Sequence, residues 1–515
     1  MSCRTIKCVR PTDRMPHIIL RAFVLASLGT ASLLQAQTAP ADDLSQKIRE
    51  LTESMARVQD QINQSQHQLD EMRQQLNQLQ QAGATSSPTA TPPQTAAASQ
   101  AVLPVNTADL HERQDMQASQ LATLQQAKVE SDSKYPVTIS GMLLFNGFYN
   151  STRVDMAATP TSALFNSGSL GASVRQTVLG IDARGPHLRG ASSYADLRVD
   201  FDGDPSSANT YPGSYNTNAT LIRLRTIHAG LDWKHTSAFF SLDRPILSPD
   251  SPTSLTAVAE PALAWSGNLW AWNPQFGISQ EIPLSAKANI SIEGAAIDAS
   301  DAPGTLLYRT ATASSPQAST AEQSRRPGGE LRLALSGPKR NDGAHFGIGG
   351  YIAPHVSTGG VPFNAWAGTM DAKVPLGPHL EFTAAAYRGA SLGGLGAGQY
   401  KDYIAGTTAA GQKFFESLDN VGGWAQLKQT VNERLQFNEA FGTDQDFARQ
   451  LRPYVGTSSG GYLDFARNHT ITGNAIYSPS AYLLFSFEYR RLETAPVTGR
   501  LWVSNVYGLA AAYRF

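Results

Sequence analysis

The chain has 515 residues, 41% of them hydrophobic and 16% charged, with a mean hydropathy of -0.26. Beyond residue 40 no apolar stretch reaches the length of about eighteen residues that a membrane helix needs, which excludes a helical membrane protein. It does not exclude a transmembrane barrel, whose strands alternate lipid-facing and lumen-facing residues and so keep a modest average hydropathy. Lys and Arg number 41 and Asp and Glu 42, so nucleic-acid binding has no electrostatic support.

The first 36 residues read as a secretory signal. Arg4, Lys7, Arg10, Arg14 and Arg21 precede an apolar run from Ala22 to Leu34, and the small residue Ala36 follows. That run is too short to span a bilayer. Translation from Met15 would give the more usual signal proportions, so the start at Met1 or Met15 stays open. Export would remove both cysteines, Cys3 and Cys8, leaving no disulfide framework, thiolate metal site or cysteine nucleophile. It would also remove five basic side chains and one acidic one (Asp13), shifting the net charge from -1 to -5.

Residues 42–80 carry a heptad pattern that predicts an α-helical coiled coil. Ile48, Met55, Ile62, Leu69 and Leu76 form one seam, and Leu44, Leu51, Val58, Met72 and Leu79 the other, with Ser65 as its one polar member. A 4-3 spacing sustained over five heptads is what supercoiled helices require. Mixed Ile, Leu and Met on both seams leave the number of helices open. A single amphipathic helix lying on its own domain is the alternative. Residues 81–134 are expected to be a low-complexity linker, with Pro88, Pro92, Pro93 and Pro104, followed by a short helical stretch from Asp109 to Val129.

From residue 135 to 515 the character changes to Gly, aromatic residues and alternation. About sixteen strands are predicted, near 137–149, 173–184, 191–202, 221–233, 236–244, 274–283, 287–298, 328–337, 344–354, 365–375, 379–389, 420–430, 433–443, 468–478, 481–492 and 503–515. Ala195, Leu197, Val199 and Phe201 share one face, opposed by Asp196, Arg198, Asp200 and Asp202. Leu331, Leu333 and Leu335 oppose Glu330 and Arg332 in the same way. The connections alternate long and short, the long ones being 150–172, 203–220, 245–273, 299–327, 355–364, 390–419, 444–467 and 493–502. Outer-membrane barrels have this rhythm, with short periplasmic turns and longer extracellular loops. The expected fold is therefore all-β: a transmembrane antiparallel β-barrel preceded by the coiled coil. With an even strand number, both ends of the barrel and the coiled coil fall on the periplasmic side.

The last strand ends on Phe515, and Tyr507, Leu509 and Tyr513 share its face. An alternating, aromatic-ended strand suits a lipid-facing wall with an interfacial girdle. It also resembles the terminal recognition strand that the barrel assembly machinery of bacteria reads. Tyr149, Trp233, Trp270, Trp272, Trp366 and Trp502, near predicted strand ends, are candidates for such belts.

Ser241-Leu242-Asp243-Arg244-Pro245, the proline-rich run to Pro252, Gly267-Asn268-Leu269-Trp270 and Pro274-Gln275 resemble the DcaP-like porins of Gram-negative bacteria, as do the heptads and the closing Tyr513-Arg514-Phe515. The resemblance spans most of the exported chain through loose motifs. It implies a sixteen-stranded homotrimeric outer-membrane channel with a periplasmic coiled-coil extension, passing small, often anionic solutes such as dicarboxylates. By resemblance to porins, the loop 245–273 is the first candidate to fold inward; it carries Asp250 and Glu260, with Arg244 at its start. Alternation turns Arg198, Arg223, Arg225, Arg332, Lys373 and Arg490 inward, with Asp196, Asp200, Glu293, Glu330, Asp371 and Glu488. The set is mixed rather than strongly basic, which leaves anion preference open.

Two other classes compete. A structural or adhesive surface protein would place its function in the coiled coil. A barrel enzyme would need an activated nucleophile, yet His187, His228, His235, His345, His355, His379 and His469 are scattered, without G-x-S-x-G or H-E-x-x-H. No enzyme activity and no cofactor are expected. The run Gly393 to Gly398 lies in a predicted long loop without the strand-to-helix context of a phosphate cradle.

Overall fold

The computed structural model describes residues 136–203, 221–306, 308, 317–337, 343–408, 410–454 and 461–515. The expected signal (1–36), coiled coil (42–80) and linker (81–134) lie outside the described residues.

Residues rich in alternation pair in chain order. The strands are β1 (Val137–Val154), β2 (Ala163–Ser173), β3 (Val178–Leu188), β4 (Ala191–Asp200), β5 (Arg223–Asp232), β6 (Thr236–Asp243) and β7 (Asn273–Ser285). Then follow β8 (Ala288–Ile297), β9 (Gly328–Ser336), β10 (His345–Val356), β11 (Pro362–Pro375) and β12 (Leu380–Ala390). A short hairpin, β13 (Tyr403–Thr407) and β14 (Lys413–Ser417), stands apart from the wall. The wall resumes with β15 (Asp419–Asn432), β16 (Leu435–Asp446), β17 (Phe465–Tyr477), β18 (Leu483–Pro496) and β19 (Trp502–Arg514).

Seventeen of these form one sheet. β2 and β3 share one place in it, because β2 pairs with the far half of β1 and β3 with its near half. The wall therefore has sixteen strand positions. It closes where β1 meets β19, with Met142 opposite Arg514 and Asn150 opposite Val506. Gly141 and Phe515 seal the bottom of that seam by exchanging backbone hydrogen bonds at 2.9 and 3.0 Å. A closed ladder leaves no open edge, which is what lets strands stand in hydrocarbon.

Two expectations change here. The connection 150–172 was expected to be a loop throughout, but its second half is β2; the strand is interrupted at 174–177, where the backbone turns Gln176 into the barrel. Similarly, 390–419 was expected to be all loop and holds the β13–β14 hairpin.

Short turns gather at one end. One of the two-residue turns is Arg189-Gly190, whose φ of 50° and 83° match the two left-handed positions of a hairpin turn between Leu188 and Ala191. Long connections gather at the other end, and both β1 and β19 begin or finish at the short-turn end.

The outward faces are apolar: Leu143, Phe145, Leu331, Leu333, Phe485, Phe487 and Leu509 are all exposed. In water such a surface would drive association; in lipid it is the solvated one. Tyr149, Tyr489 and Tyr507 form an outward aromatic row, with ring centroids 6.1 and 5.3 Å apart. Among the described residues no helix is long and apolar enough to cross a membrane.

Candidate functional site

The barrel interior is divided by the connection between β6 and β7, residues 244–272, which folds inward. It begins by burying Leu247 against Tyr351, Ala353 and Tyr387. Its path then reaches much of the inner wall. The Thr253 amide donates to Gln426 Oε1 (2.6 Å) on β15, and Asn474 on β17 donates to the Thr253 carbonyl (2.8 Å). Ser254 Oγ donates to Glu488 on β18 (2.5 Å), and Asn146 on β1 donates to the Leu255 carbonyl (3.2 Å). Leu255 itself packs with Leu144, Ile476, Leu484, Ala510 and Ala512.

The break between β2 and β3 serves this loop. Gln176 is fully buried; its Nε2 donates to the Thr256 carbonyl (3.0 Å), while its Oε1 accepts from the amides of Val258 (2.7 Å) and Ala259 (3.0 Å). One side chain thus satisfies three backbone groups of an irregular segment, which buried polar groups require. Where the loop presses hardest, the wall carries glycine. A β-carbon on Gly508 would stand 2.9 Å from Thr256 Cγ2.

Two further segments lie against the loop. Residues 391–403, which include the glycine run, are buried rather than displayed. Tyr400 stacks on Trp265 with centroids 4.4 Å apart, and its hydroxyl hydrogen-bonds Thr161 (2.7 Å) and Ser162 of the first connection. Gln399 and Tyr400 adopt left-handed φ of 44° and 68°, a conformation costly for side chains of this size. Gln399 is held by its contacts: its Nε2 donates to the Trp265 carbonyl (3.2 Å) and to Asp444 (2.8 Å). Lys401 is fully buried, 2.9 Å from Asp446, and also donates to the Phe465 carbonyl (2.6 Å). The glycine run therefore threads backbone through a crowded interior.

These loops fill one side of the barrel. On the arc from β15 round to β1 the inward polar residues are closed off: Asn438, Asn468, Thr470, Asn474 and Ser504 are all buried. On the arc β3–β6 most of the inward charges keep solvent access: 39% for Asp182, 25% for Asp196, 29% for Arg198 and 27% for Arg223, with Asp200 the buried exception. This contrast locates the accessible part of the lumen.

The expected pore residues divide accordingly. On the accessible arc, Arg198 binds Asp182 (2.7 Å) and stands 4.0 Å from Asp196. Arg223 makes a two-point contact with the fully buried Asp200 (Nε to Oδ1 3.0 Å, Nη2 to Oδ2 2.8 Å) and donates to the Ala259 carbonyl of the loop (3.0 Å). Arg225 is 3.7 Å from the same carboxylate, and its Nη1 has no hydrogen-bond partner among the described residues. Both guanidiniums lie over the Trp272 ring, at 5.0 and 4.9 Å from its centroid. Arg244 donates to Ser251 Oγ (2.6 Å). His228, between Asp196 and Asp243 at 2.9 Å from each, joins this wall.

A second group surrounds the start of the loop. Asp250 lies 2.9 Å from His345 and 3.9 Å from Lys373. Arg332 makes a two-point contact with Asp371 (2.9 and 2.6 Å) and is 3.6 Å from Glu293. Arg332, Asp371 and Glu330 are buried, Glu330 beneath residues 246 and 247. Glu488 and Arg490 pair at 2.5 Å behind the loop and are also buried. Glu260 is enclosed by the first connection, and burial holds its carboxyl well above the ordinary range. Inward position alone thus gathers two kinds of charge, those that meet solvent and those that tie the loop to the wall.

Gln176, Trp272, Tyr400 and the pair His228–Asp243 were not among the expected site residues. Gln176 and Tyr400 carry no charge, so alternation of charge passes over them; Tyr400 sits in what reads as loop, and Gln176 falls inside the expected strand 173–184, which the structure breaks at 174–177. The wall glycines did carry a signal, since glycine inside a strand marks a close backbone approach. No group of three or more metal-binding side chains with the geometry of a metal site occurs among the described residues.

No family model and no curated protein matches the sequence. The structure is similar to the outer-membrane channel DcaP of Acinetobacter baumannii, with a TM-score of 0.53 at 13% identity over 76% of this chain and 100% of that one. It also matches an anion-selective porin from Comamonas acidovorans (TM-score 0.43, 11% identity, 74% and 100% coverage). A third match is OprB of Pseudomonas putida (TM-score 0.43, 10% identity, 78% and 97% coverage). Of these three, only the first is near enough in shape to bear on the fold. By fold, this chain is a closed antiparallel β-barrel of sixteen strand positions, like that of the DcaP channel.

Proposed function

We propose that the protein is an outer-membrane porin that lets small hydrophilic solutes, anionic ones included, diffuse through a water-filled path. The observation that supports this reading is the one-sided lumen. Loops fill the arc from β15 to β1, while charged side chains on β3–β6 keep solvent access. In this reading Asp182, Asp196, Arg198, Arg223, Arg225, Arg244 and Asp250 line the path, and Arg332, Asp371, Glu330, Glu488 and Arg490 hold the inward loop. A charge entering a narrow passage with low-dielectric walls feels such fixed groups strongly, so they set which solutes pass.

The protein acts as a homotrimer anchored in outer-membrane lipid, exported by its signal and read by the assembly machinery through Tyr507, Leu509, Tyr513 and Phe515. Its N-terminal coiled coil lies in the periplasm. Purified protein in planar lipid bilayers is expected to give discrete current steps, grouped in threes, and a reversal potential under a salt gradient reports the charge preference. Absence of current would reject the porin reading in favour of a structural surface protein.

A further inference from the structure

At the long-connection end of the barrel, four arginines gather on its outer wall. Arg467 points outward from β17, because the next residue, Asn468, is turned to the interior and buried. Arg388 points outward from β12, since Tyr387 reaches inward to Asp444 (2.9 Å). Arg449 lies in α1 (Ala448–Leu451), and Arg452 begins the single helical turn that follows. The Phe447 ring is flanked by two of them, with the Arg388 and Arg449 guanidinium carbons 4.6 and 5.1 Å from its centroid. Arg388 also lies 5.6 Å from the ring of Trp366, an exposed outward residue. Between these elements opens a groove of about 510 Å³ lined by Phe447, Arg449, Arg452, Arg467, Ala495 and Val497.

The local charge does not cancel. Asp419 takes Arg388 at 3.1 Å and Arg449 at 3.8 Å. Glu493 is occupied by Arg491 at 2.7 Å, and Asp446, which also lines the groove, by the buried Lys401 at 2.9 Å. Arg452 and Arg467 are exposed and form no ion pair among the described residues.

We infer that this groove binds the phosphate groups of the phosphorylated glycolipid that forms the outer leaflet. This rests on the outer-membrane reading above. Long loops mark the extracellular side, and an exposed tryptophan marks the level where hydrocarbon gives way to headgroups. Guanidinium forks match phosphate oxygens at two points, a geometry that a lysine cluster lacks. The apolar part of the groove, Phe447, Ala495 and Val497, fits the upper acyl segment of a lipid and gives nothing to a free anion. The two features together select a headgroup with its chain attached.

Full-length protein purified in detergent is titrated with bisphosphorylated lipid A, with the same lipid lacking both phosphates, and with inorganic phosphate. The triple variant Arg449→Gln, Arg452→Gln, Arg467→Gln is measured beside it. These side chains are exposed, so the fold is not at risk. The expected result is saturable binding of the phosphorylated lipid, weakened about tenfold or more both by the triple variant and by removal of the phosphates. Lysine at the same three positions restores part of the loss, and inorganic phosphate competes weakly. Equal binding of the two lipids, an unchanged triple variant, or inorganic phosphate binding as tightly as the lipid would each overturn the proposal. Currents recorded on the same preparations separate the two failures. Lipid binding indifferent to charge in a conducting protein rejects this site alone, whereas a wild type that carries no current rejects the channel.

Discussion

Gly442 on β16 lies against Ser266 of the inward loop so closely that a β-carbon at 442 would stand 2.0 Å from the Ser266 carbonyl oxygen. No rotamer relieves a clash between a β-carbon and backbone. Gly442→Val is expected to lift the loop from the wall and to cost about 1–3 kcal/mol, the usual penalty for overpacking. Gly473→Ala on β17, where nothing lies within 4 Å, serves as the control and leaves stability unchanged. Heat-induced unfolding followed on gels distinguishes the two.

Gln176 holds the same loop from the break between β2 and β3. Gln176→Ala leaves the Thr256 carbonyl and the Val258 and Ala259 amides without their partners. Each buried orphan costs about 1–3 kcal/mol, less whatever water replaces. Single-channel recording is expected to show a noisier open level in the variant, as the loop samples more positions. An open level as quiet as that of the wild type would remove Gln176 from this positioning role.

The buried pair Arg332–Asp371 tests the division between tying charges and path charges. Arg332→Met leaves the buried Asp371 with His345, 3.4 Å away, as its remaining partner and is expected to destabilise the barrel by about 3 kcal/mol. The double variant Arg332→Met, Asp371→Leu recovers most of that loss, since two apolar groups replace a desolvated pair. Thermal midpoints of the two variants check the order. Equal midpoints would mean that Asp371 finds other compensation.

Asp402, in the connection after β12, gives a pH dependence with a definite sign. Burial pushes its carboxyl up to about 7 from an ordinary 3.8, although it accepts from the amides of Gly393 (2.8 Å) and Gly394 (3.4 Å). The folded state therefore holds this proton more tightly than the unfolded chain does. Its contribution to stability is largest in acid, falls by about 1.4 kcal/mol per pH unit between 4 and 7, and is fully lost above 7. Asp402→Asn is expected to flatten that slope in unfolding measured across this range.

Much of the wall is legible in the sequence because its physics is local. Glu330 and Arg332 between Leu331 and Leu333 can face only one way if those leucines face lipid, and the same holds for β4 and β18. The count of sixteen follows from that repetition. What alternation does not reveal is the filling. Trp265, Tyr400 and Thr161 meet across 239 residues of chain, and no period connects them. Asp200 and Asp196 look alike four residues apart on one strand, yet one is buried under Arg223 and the other keeps solvent access, because only the loops decide which part of the lumen is covered. The interruption at 174–177 escaped for a related reason: its purpose, three hydrogen bonds from Gln176, lies in a distant segment.

The measurement that tests the central claim most directly is thiol block of single-channel current. Beyond residue 8 the sequence has no cysteine, so a single introduced cysteine reports its own surroundings. A charged methanethiosulfonate reagent is expected to reduce the current stepwise through Asp196→Cys, on the accessible arc, and to leave Thr472→Cys, buried behind the inward loop, unaffected. Block at 472 with none at 196 would contradict a path along β3–β6.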